Sequence, residues 1–339
     1  MLPNQRPSSA SVPLSPRVIG LTSAVITVAI WAAFIVIARA SAKGALSPFD
    51  IALARIIGAS AVLIPLAAWW MRQAARNHTA QSSSFFGLSP LSFRITALCG
   101  FFGGFLYAGL SYAGFFFAPA AHASVLMPGS LPLWTSLLAV FILKDHISPK
   151  RALGLLFIVC GDLLVGGASL LKAFDGGDVW KGDVLFMGAS LCWSIYSVLV
   201  RRFALDPVRA TAAITVFALF SYVPVYGLLL LSEVMHSQLA SAPWGQIVFQ
   251  ALFQGVGSVV ISGITFTQMI RYYGPVRSTM ITALVPGLSA LGAVVFLGEP
   301  LGWNLVLGLV CVTLGIVFGV QRAAIKKEAS LPANTKAGA

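Results

Sequence analysis

A stripe of polar side chains runs through one of the most apolar stretches of the chain, where Gln254, Ser258 and Ser262 recur at four-residue intervals. This spacing places all three side chains on one face of a helix. A lipid bilayer cannot satisfy such groups, so the face must contact either protein or water. Two interpretations stay open: the stripe lines a pathway for a polar solute, or it holds neighbouring helices together through hydrogen bonds.

Aromatic side chains occur in other apolar stretches and can bind a planar or apolar solute by stacking. The candidates are Trp31, Tyr107, Trp193 and Tyr196, and the hydroxyl group of Ser111 lies one helical turn after Tyr107. The same residues also suit ordinary packing between helices, so both roles stay open for them.

Three ionisable side chains interrupt the apolar stretches. An arginine at the centre of a membrane helix costs roughly 2.5–3.5 kcal/mol. Arg55 therefore either binds a carboxylate or phosphate group of a substrate or extends towards the lipid headgroups. Asp162 is either a proton-coupling carboxylate or a neutral or paired acid. His122 either titrates during transport or makes a structural hydrogen bond.

These groups belong to a chain of 339 residues, of which 58% are hydrophobic and only 9% are charged. Soluble proteins carry about 25% charged residues. Runs of roughly 20 apolar residues recur, and each is long enough to cross a bilayer as a helix. The basic residues lie in short segments between the runs and form no continuous face for a nucleic acid. We therefore expect an all-α polytopic membrane protein whose partner is the lipid bilayer.

Ten transmembrane helices are predicted, between a disordered N-terminal segment (residues 1–17) and a basic tail (residues 321–339). Pro132 and Pro286 fall inside the fourth and ninth of these spans, where the missing backbone N–H permits a kink. The predicted spans cover residues 18–38, 50–70, 95–117, 121–143, 152–171, 182–200, 211–231, 247–270, 277–297 and 303–320.

The basic residues predict the orientation of the helices. If the N-terminus is cytoplasmic, the inner segments hold 17 of the 22 Lys and Arg residues and the outer segments hold four, while Arg55 lies inside a span. Cytoplasmic loops carry such an excess of positive charge. We therefore expect both termini to be cytoplasmic.

The two halves of the predicted bundle repeat each other. At an offset of 154 residues Asp145 aligns with Glu299, and at an offset of 162 residues Trp31–Arg39 aligns with Trp193–Arg201. Because five spans are an odd number, the second repeat is inverted relative to the first, as in many secondary transporters. The inversion explains why the Asp145 loop carries basic residues and the Glu299 loop does not. The 154-residue offset also pairs Gly154 with Gly308 and Gly161 with Gly315.

A family resemblance rests on the order of these motifs. Trp31 in the first span, Arg55 early in the second, the prolines of the fourth and ninth spans, and the acids Asp145 and Glu299 with their later glycines resemble the drug/metabolite transporter superfamily, EamA-type. The resemblance covers about residues 18–320. It implies that spans 1–4 and 6–9 surround a substrate cavity while spans 5 and 10 are peripheral, which would remove Asp162 from the pathway. The implied domains are two inverted EamA-like five-helix repeats, residues 18–172 and 182–320.

The expected function is that of a secondary transporter, an exporter of small metabolites such as amino acids or drugs that works by alternating access. The alternative is a carrier of lipid-linked phosphates or nucleotide sugars, which would favour several cations in the cavity where only Arg55 qualifies. The expected location is the cell membrane, the inner membrane of a bacterium. The predicted pathway residues are Trp31, Arg55, Tyr107, Ser111, His122, Trp193, Tyr196, Gln254, Ser258 and Ser262.

No enzymatic role is expected, because the ten acidic residues are scattered and cannot form an acid–base or metal centre at a membrane face. The four cysteines lie singly within apolar runs, so we expect neither a metal site nor a cofactor. The expected partners are the bilayer and a small-molecule substrate, with protons as candidate coupling ions and a homodimer as a candidate assembly.

Overall fold

Apolar runs fold as long helices in the computed structural model of the chain, which describes residues 16–76, 83–173, 177–282 and 284–320. Within these ranges the regular structure is helical, apart from one isolated β-bridge between Ser84 and Ser89. The helices are α1 (Pro16–Ala42), α2 (Pro48–Arg76), α3 (Phe93–Phe117), α4 (Ala120–Leu143), α5 (Pro149–Ala173), α6 (Val179–Arg202), α7 (Pro207–Leu231), α8 (Trp244–Tyr273), α9 (Pro275–Ile281 and Leu284–Leu297) and α10 (Trp303–Val320).

Eight of these helices, α1–α4 and α6–α9, are long and apolar enough to cross a membrane, and Trp303–Phe318 within α10 is a shorter apolar helix. The prediction of an all-α polytopic membrane protein is confirmed at this level, while the number of ten crossings stays a prediction. Nearly all of the predicted N-terminal segment, residues 1–17, and the whole of the tail, residues 321–339, lie outside the described residues.

Prolines and one capping acid determine where several helices begin. Pro149, Pro207 and Pro275 are the first residues of α5, α7 and α9, a position at which the missing N–H has no helical partner in any case. The Asp206 carboxylate accepts hydrogen bonds from the backbone N–H groups of Val208 and Arg209 at 3.1 and 3.2 Å. These groups are the free donors of the first turn of α7.

The two repeats end their fourth and ninth predicted spans in the same way. Lys144 and Gly298, which align at the 154-residue offset, both adopt a left-handed conformation, with φ of 58° and 65°. The backbone N–H of Asp145 then bonds to the Ala139 carbonyl at 3.1 Å, and that of Glu299 bonds to the Ala293 carbonyl at 3.2 Å. This pattern of a left-handed residue and a backward hydrogen bond terminates many helices.

Matched irregularities also occur inside the helices. Phe101–Leu106 of α3 and Ala251–Ile261 of α8 are π-helical, and the 154-residue offset makes them overlap. Helix α4 is interrupted at Ser130, two residues before the predicted kink residue Pro132. Its counterpart Pro286 lies in α9 shortly after the interruption between the two described parts of that helix. Such irregular turns expose backbone groups and let helices bend.

Helices α5 and α10 cross closely at glycines. A Cβ atom added to Gly161 would lie 2.7 Å from the Gly308 carbonyl oxygen, and one added to Gly315 would collide with the Gly154 carbonyl oxygen. Gly154, earlier in α5, contacts Gly315, later in α10, whereas Gly161 contacts Gly308, so the two helices are antiparallel. Small residues permit this approach of two backbones, as at many helix contacts in membranes.

The surface and interior of the bundle have the composition expected in lipid. Phe141, Trp244, Leu231 and Trp303 point outward and expose between 78% and 84% of their surface. Inside, many buried hydroxyl groups bond to the carbonyl four residues earlier, as Ser124 does to Ala120 at 2.8 Å. Polar groups are thereby satisfied within their own helix, which an apolar surrounding requires.

Candidate substrate pathway

A cluster of aromatic rings lies where α1, α3, α6 and α8 meet, with Trp193 in the middle. The ring centroid of Trp193 is 5.8 Å from that of Trp31, 4.8 Å from that of Tyr107 and 5.1 Å from that of Tyr196. Phe266 of α8 completes the cluster at 4.7 Å from Trp31. Four of the five aromatic residues were predicted from the sequence as pathway candidates.

Two small cavities flank Trp193, with volumes of about 20 and 30 Å³. The first, called the aromatic cavity, is lined by Trp31, Phe34, Ile35, Tyr107, Met127, Pro128, Leu131, Ser190, Trp193 and Val285. The second, called the arginine cavity, is lined by Arg55, Ile56, Ala59, Gly103, Gly104, Ala108, Trp193, Thr211, Ile214, Thr215, Ala218, Ser258, Val259 and Gly263. Together they are lined by α1–α4 and α6–α9 and by no residue of α5 or α10 among the parts of the chain that the structure describes.

Of the polar stripe of α8, Ser258 lines the arginine cavity, whereas Gln254 and Ser262 line neither cavity. The Trp31 indole Nε1 donates a hydrogen bond to the Ser262 hydroxyl at 3.2 Å, and Ser262 in turn donates to the Ser258 carbonyl. One turn earlier, Gln254 is fully buried, and its side-chain oxygen and nitrogen have no hydrogen-bond partner among the described residues. A buried amide without a partner is costly, which makes Gln254 the least satisfied member of the stripe.

Arg55 lies inside the bundle and not at its surface, with a relative exposure of 6%. Its Nη1 donates to the Tyr112 hydroxyl at 3.3 Å and to the Ser258 hydroxyl at 3.2 Å. The guanidinium carbon lies 5.6 Å from the centre of the Phe34 ring and 6.0 Å from that of Tyr107, within range of cation–π attraction. Extension of this side chain to the lipid headgroups, the alternative interpretation of the sequence, is not the observed arrangement.

The charge of Arg55 has no counter-ion in this site. No acidic side chain of the described residues forms an ion pair with it, and no acid lines either cavity. Among the described residues, hydroxyl groups and aromatic faces are what stabilise this charge. The arginine cavity is therefore a positively charged site in an apolar surrounding.

Two other predicted pathway residues are engaged within the protein. The Ser111 hydroxyl donates to the Tyr107 carbonyl of its own helix at 2.7 Å, and the Tyr196 hydroxyl shares a hydrogen bond of 3.0 Å with Thr267. Both residues are buried and line neither cavity. Their observed contacts are those of packing and interhelical hydrogen bonding.

His122 and Asp162 lie away from both cavities. The His122 Nδ1 is 2.9 Å from Asp183 Oδ1. The histidine therefore makes a buried hydrogen bond within the protein, one of the two roles that the sequence left open. Asp162 is 7% exposed, and neither carboxylate oxygen has a hydrogen-bond partner in the described part of the chain. It belongs to α5, which packs along α10. The described residues hold no group of three His, Cys, Asp or Glu side chains that could bind a metal.

The ends of the bundle differ in their ion pairs. At the end where α1, α3 and α9 finish, here called the Glu299 end, Arg39 Nε lies 2.9 Å from Glu299 Oε1, and Arg39 Nη1 donates to the Phe115 carbonyl at 2.7 Å. At the opposite end, the Asp145 end, Asp145 pairs with Arg151 at 3.1 Å. Arg201, the residue that matches Arg39, forms no ion pair with a described acid.

An open cleft of about 1200 Å³ occupies the Asp145 end, between α4, α6 and the start of α9. Asp145, Arg201 and Met280 are among its lining residues. At the Glu299 end the segment that matches the start of α9 is buried, with Ala120 and Ala123 fully buried, while a smaller cavity of about 490 Å³ lies at that end between α1 and α8. Sequence analysis missed the Arg39–Glu299 pair, although the repeat had already aligned Arg39 with Arg201 and Glu299 with Asp145.

Apolar helices of spanning length that surround small central cavities define a multi-pass membrane protein. Residues 18–167 and, separately, residues 180–320 match the model of the EamA-like transporter family. These matches cover most of the chain, which therefore belongs to the EamA-like transporter family.

Sequence comparison finds relatives that are named as transporters. The chain is similar to an uncharacterised transporter, YyaM, of Bacillus subtilis, with 28% identity over 68% of this chain and 72% of the relative. An uncharacterised transporter of Clostridium kluyveri is 20% identical over 86% of this chain and 90% of the relative. A crystal structure aligns with a TM-score of 0.55 and 21% identity over 90% of this chain and 96% of that one. This last likeness supports the fold alone.

Proposed function

We propose that the protein is a secondary transporter that exports small metabolites such as amino acids or drugs across the cytoplasmic membrane by alternating access. In this proposal ten helices cross the membrane as two inverted five-helix repeats, residues 18–172 and 182–320, and both termini are cytoplasmic. The Asp145 end then faces the cytoplasm and the Glu299 end faces outward. The substrate binds around Trp193, between the aromatic cavity and the arginine cavity.

Several symmetric contacts support the inverted repeat. Exchange of the two halves converts the contact of Gly161 with Gly308 into that of Gly315 with Gly154, and both contacts are present. The same exchange relates the helix ends at Lys144 and Gly298. Inverted repeats allow two halves to exchange conformations around a fixed central site.

The difference between the two ends carries the proposal of alternating access. The Arg39–Glu299 pair closes one end, while the matched Arg201 and Asp145 line an open cleft. If the halves exchange conformations, the cleft closes as Arg201 and Asp145 approach each other, and the Glu299 end opens. The present conformation then corresponds to the cytoplasm-facing state of the cycle.

The charge of the cavities argues against the alternative of lipid-linked phosphates or nucleotide sugars. Such substrates carry two or more negative charges, and within the described ranges Arg55 is the one basic residue that lines the two cavities. A single guanidinium leaves at least one phosphate charge uncompensated in an apolar site, which is unfavourable.

Counterflow in proteoliposomes tests the proposed function. Vesicles are preloaded in turn with amino acids, other small metabolites and cationic drugs, and entry of radiolabelled tracer is followed with and without a pH gradient. We expect tracer to accumulate transiently only in vesicles preloaded with a compound of the same class, because a carrier exchanges its substrate across the membrane. Protein-free vesicles are the control for leakage.

Two results would contradict the proposal. Tracer entry that is insensitive to preloading would indicate a channel, and no exchange of any compound by protein shown to be folded would exclude the proposed substrate classes. A change in counterflow with the pH gradient would identify protons as coupling ions.

A further inference from the structure

We propose that Arg55 and the indole N–H of Trp193 form a recognition site for a single carboxylate carried by an aromatic or apolar molecule. This inference rests on the proposed transport function and names the substrate class within it. Among the small metabolites of that proposal, it ranks such carboxylates above zwitterionic amino acids, amines and phosphate esters in affinity.

The first argument is the missing counter-charge. Arg55 lies within the bundle at 6% exposure, and an ionised side chain in an apolar surrounding is strongly unfavourable unless it is paired. No acidic residue among those that the structure describes pairs with it. A bound anion would supply the charge that the protein does not.

The second argument is that two N–H groups of the Arg55 guanidinium are unused. Both recorded hydrogen bonds of Arg55 start from Nη1, towards Tyr112 and Ser258. The Nε and Nη2 groups make none with the described residues. These two N–H groups form the fork that binds a carboxylate in bidentate geometry.

Trp193 provides a further, independent donor. Its indole Nε1 is buried without a hydrogen-bond partner among the described residues, and its ring lines both cavities. An indole nitrogen can only donate. Among the described residues, the arginine cavity is therefore lined by a cation, by the ring that carries this unused N–H and by no carboxylate, which is a set of groups suited to an anion.

The surroundings specify the rest of the substrate. Across Trp193 the aromatic cavity is formed by rings and aliphatic side chains such as Trp31, Phe34 and Leu131, which suit an apolar body. An α-ammonium group would find no counter-charge there, because no acid of the described part of the chain lines either cavity. A phosphate ester would bring a second negative charge that the single guanidinium does not match.

The volumes indicate how the substrate enters. Cavities of about 20 and 30 Å³ each hold one or two water molecules. A substrate therefore binds only when the helices around Trp193 separate. The π-helical segment Ala251–Ile261, which carries Ser258, is one element able to move in this way.

The test uses four compounds that share a phenyl ring and differ in charge. These are 3-phenylpropanoate, phenylalanine, phenethylamine and phenyl phosphate, each offered to the full-length protein in the counterflow assay and in a thermal-shift assay in detergent. We expect 3-phenylpropanoate to give the fastest exchange and the largest rise in melting temperature of the wild-type protein.

Variants then assign the effect to the two donors. Arg55→Gln is expected to weaken the apparent affinity for 3-phenylpropanoate 10- to 100-fold, and Arg55→Lys, which keeps the charge but not the fork, about 10-fold. Trp193→Phe keeps an aromatic ring, removes the N–H donor and is expected to weaken affinity about 5-fold. Arg94→Gln, the same change at an exposed position of α3, is the matched control and is expected to have no effect.

The outcomes separate this inference from the proposed function. Faster exchange of phenethylamine or phenylalanine than of 3-phenylpropanoate would show a carrier but overturn the carboxylate site. An unchanged affinity of the Arg55→Gln protein for 3-phenylpropanoate would overturn that site as well. Absence of counterflow for these four compounds and for every compound of the earlier panel would contradict the transport function itself. If Arg55→Gln does not fold, the thermal shifts of the wild-type protein and Arg55→Lys still decide between carboxylate and amine.

Discussion

Removal of the charge of Arg39 is expected to open the Glu299 end. Arg39→Gln breaks the ion pair with Glu299 at 2.9 Å and the hydrogen bond to the Phe115 carbonyl at 2.7 Å. Because this pair forms in only one of the two proposed states, its whole contribution shifts the balance between them. The variant should therefore favour the state in which the Glu299 end is open.

The magnitude follows from the burial of the pair. Breaking a fully buried pair costs about 3–5 kcal/mol, and an exposed pair contributes about 0–1 kcal/mol. The side chains of Arg39 and Glu299 are 19% and 9% exposed, so we take an intermediate value of about 2 kcal/mol. At 1.4 kcal/mol for each factor of ten, the population of the open state rises about 30-fold.

Labelling of a buried position at the Glu299 end measures this shift. Ala123 is fully buried in α4, so Ala123→Cys in a background without native cysteines reacts with a membrane-impermeant maleimide only when that end opens. We expect Arg39→Gln to raise the labelling rate about 30-fold. Arg39→Glu combined with Glu299→Arg is expected to restore the slow rate.

The matched residue at the other end provides the control. Arg201→Gln removes an arginine that forms no ion pair in this conformation, so labelling of the Ala123→Cys protein should not rise. An unchanged labelling rate in Arg39→Gln, or an equal rise in Arg201→Gln, would refute the role of the Arg39–Glu299 pair in closing this end.

Three further predictions follow from the packing of single side chains. Gly161→Ala should lower the melting temperature, because its Cβ would lie 2.7 Å from the Gly308 carbonyl oxygen and overpacking costs about 1–3 kcal/mol. Gly167→Ala should not lower the melting temperature, because no neighbouring atom lies within 4 Å of its added Cβ. Equal melting temperatures of the two variants would contradict the close crossing of α5 and α10. Asp162→Asn should transport at the wild-type rate because α5 lines neither cavity, and a loss of pH-dependent transport would instead make Asp162 a proton carrier. Gln254→Leu should keep or raise the melting temperature, because it removes a buried amide without a partner among the described residues. The same change is expected to slow transport, and an unchanged transport rate would exclude Gln254 from the pathway.

The helices could be predicted closely from hydropathy, since each long apolar run has no stable alternative in lipid. The ends were less predictable: the eighth span, predicted as residues 247–270, is observed as Trp244–Tyr273. A helix continues beyond its apolar run until a residue such as Gly274, with φ of 80°, ends it. Hydropathy contains no information about that final turn.

The candidate site could be predicted only in part. Helical periodicity placed Ser258 on an inward face, and the bundle brings it to Arg55, 203 residues earlier in the chain. Periodicity does not give the partner of each group, so the pairing of His122 with Asp183 and the bond between Tyr196 and Thr267 were beyond its reach. Such partners depend on how neighbouring helices are rotated, which the sequence of one helix does not determine.

The matched helix ends at Lys144 and Gly298 share a backbone conformation, and the side chains near them differ. Arg151 at the start of α5 bonds to both Asp145 and Ser136 at 3.1 Å, and thereby competes with Arg201 for the acid. The residue that matches Arg151 in the second repeat is Leu305, which cannot compete for Glu299. Arg151, one of the basic residues that predict the orientation, is therefore expected also to weaken closure of the Asp145 end.

Exchange of this one side chain tests the competition. Arg151→Leu frees Asp145 for Arg201 and should favour closure of the Asp145 end, by up to about 1 kcal/mol or 5-fold because Asp145 is 50% exposed. Labelling of Val276→Cys, at a half-buried position that lines the cleft, should slow by that factor. Lys150→Asn, which likewise introduces the residue of the matched position, forms no such pair and is the control. A labelling rate that is unchanged in Arg151→Leu, or slowed equally in Lys150→Asn, would assign the open cleft to helix packing and not to competition for Asp145.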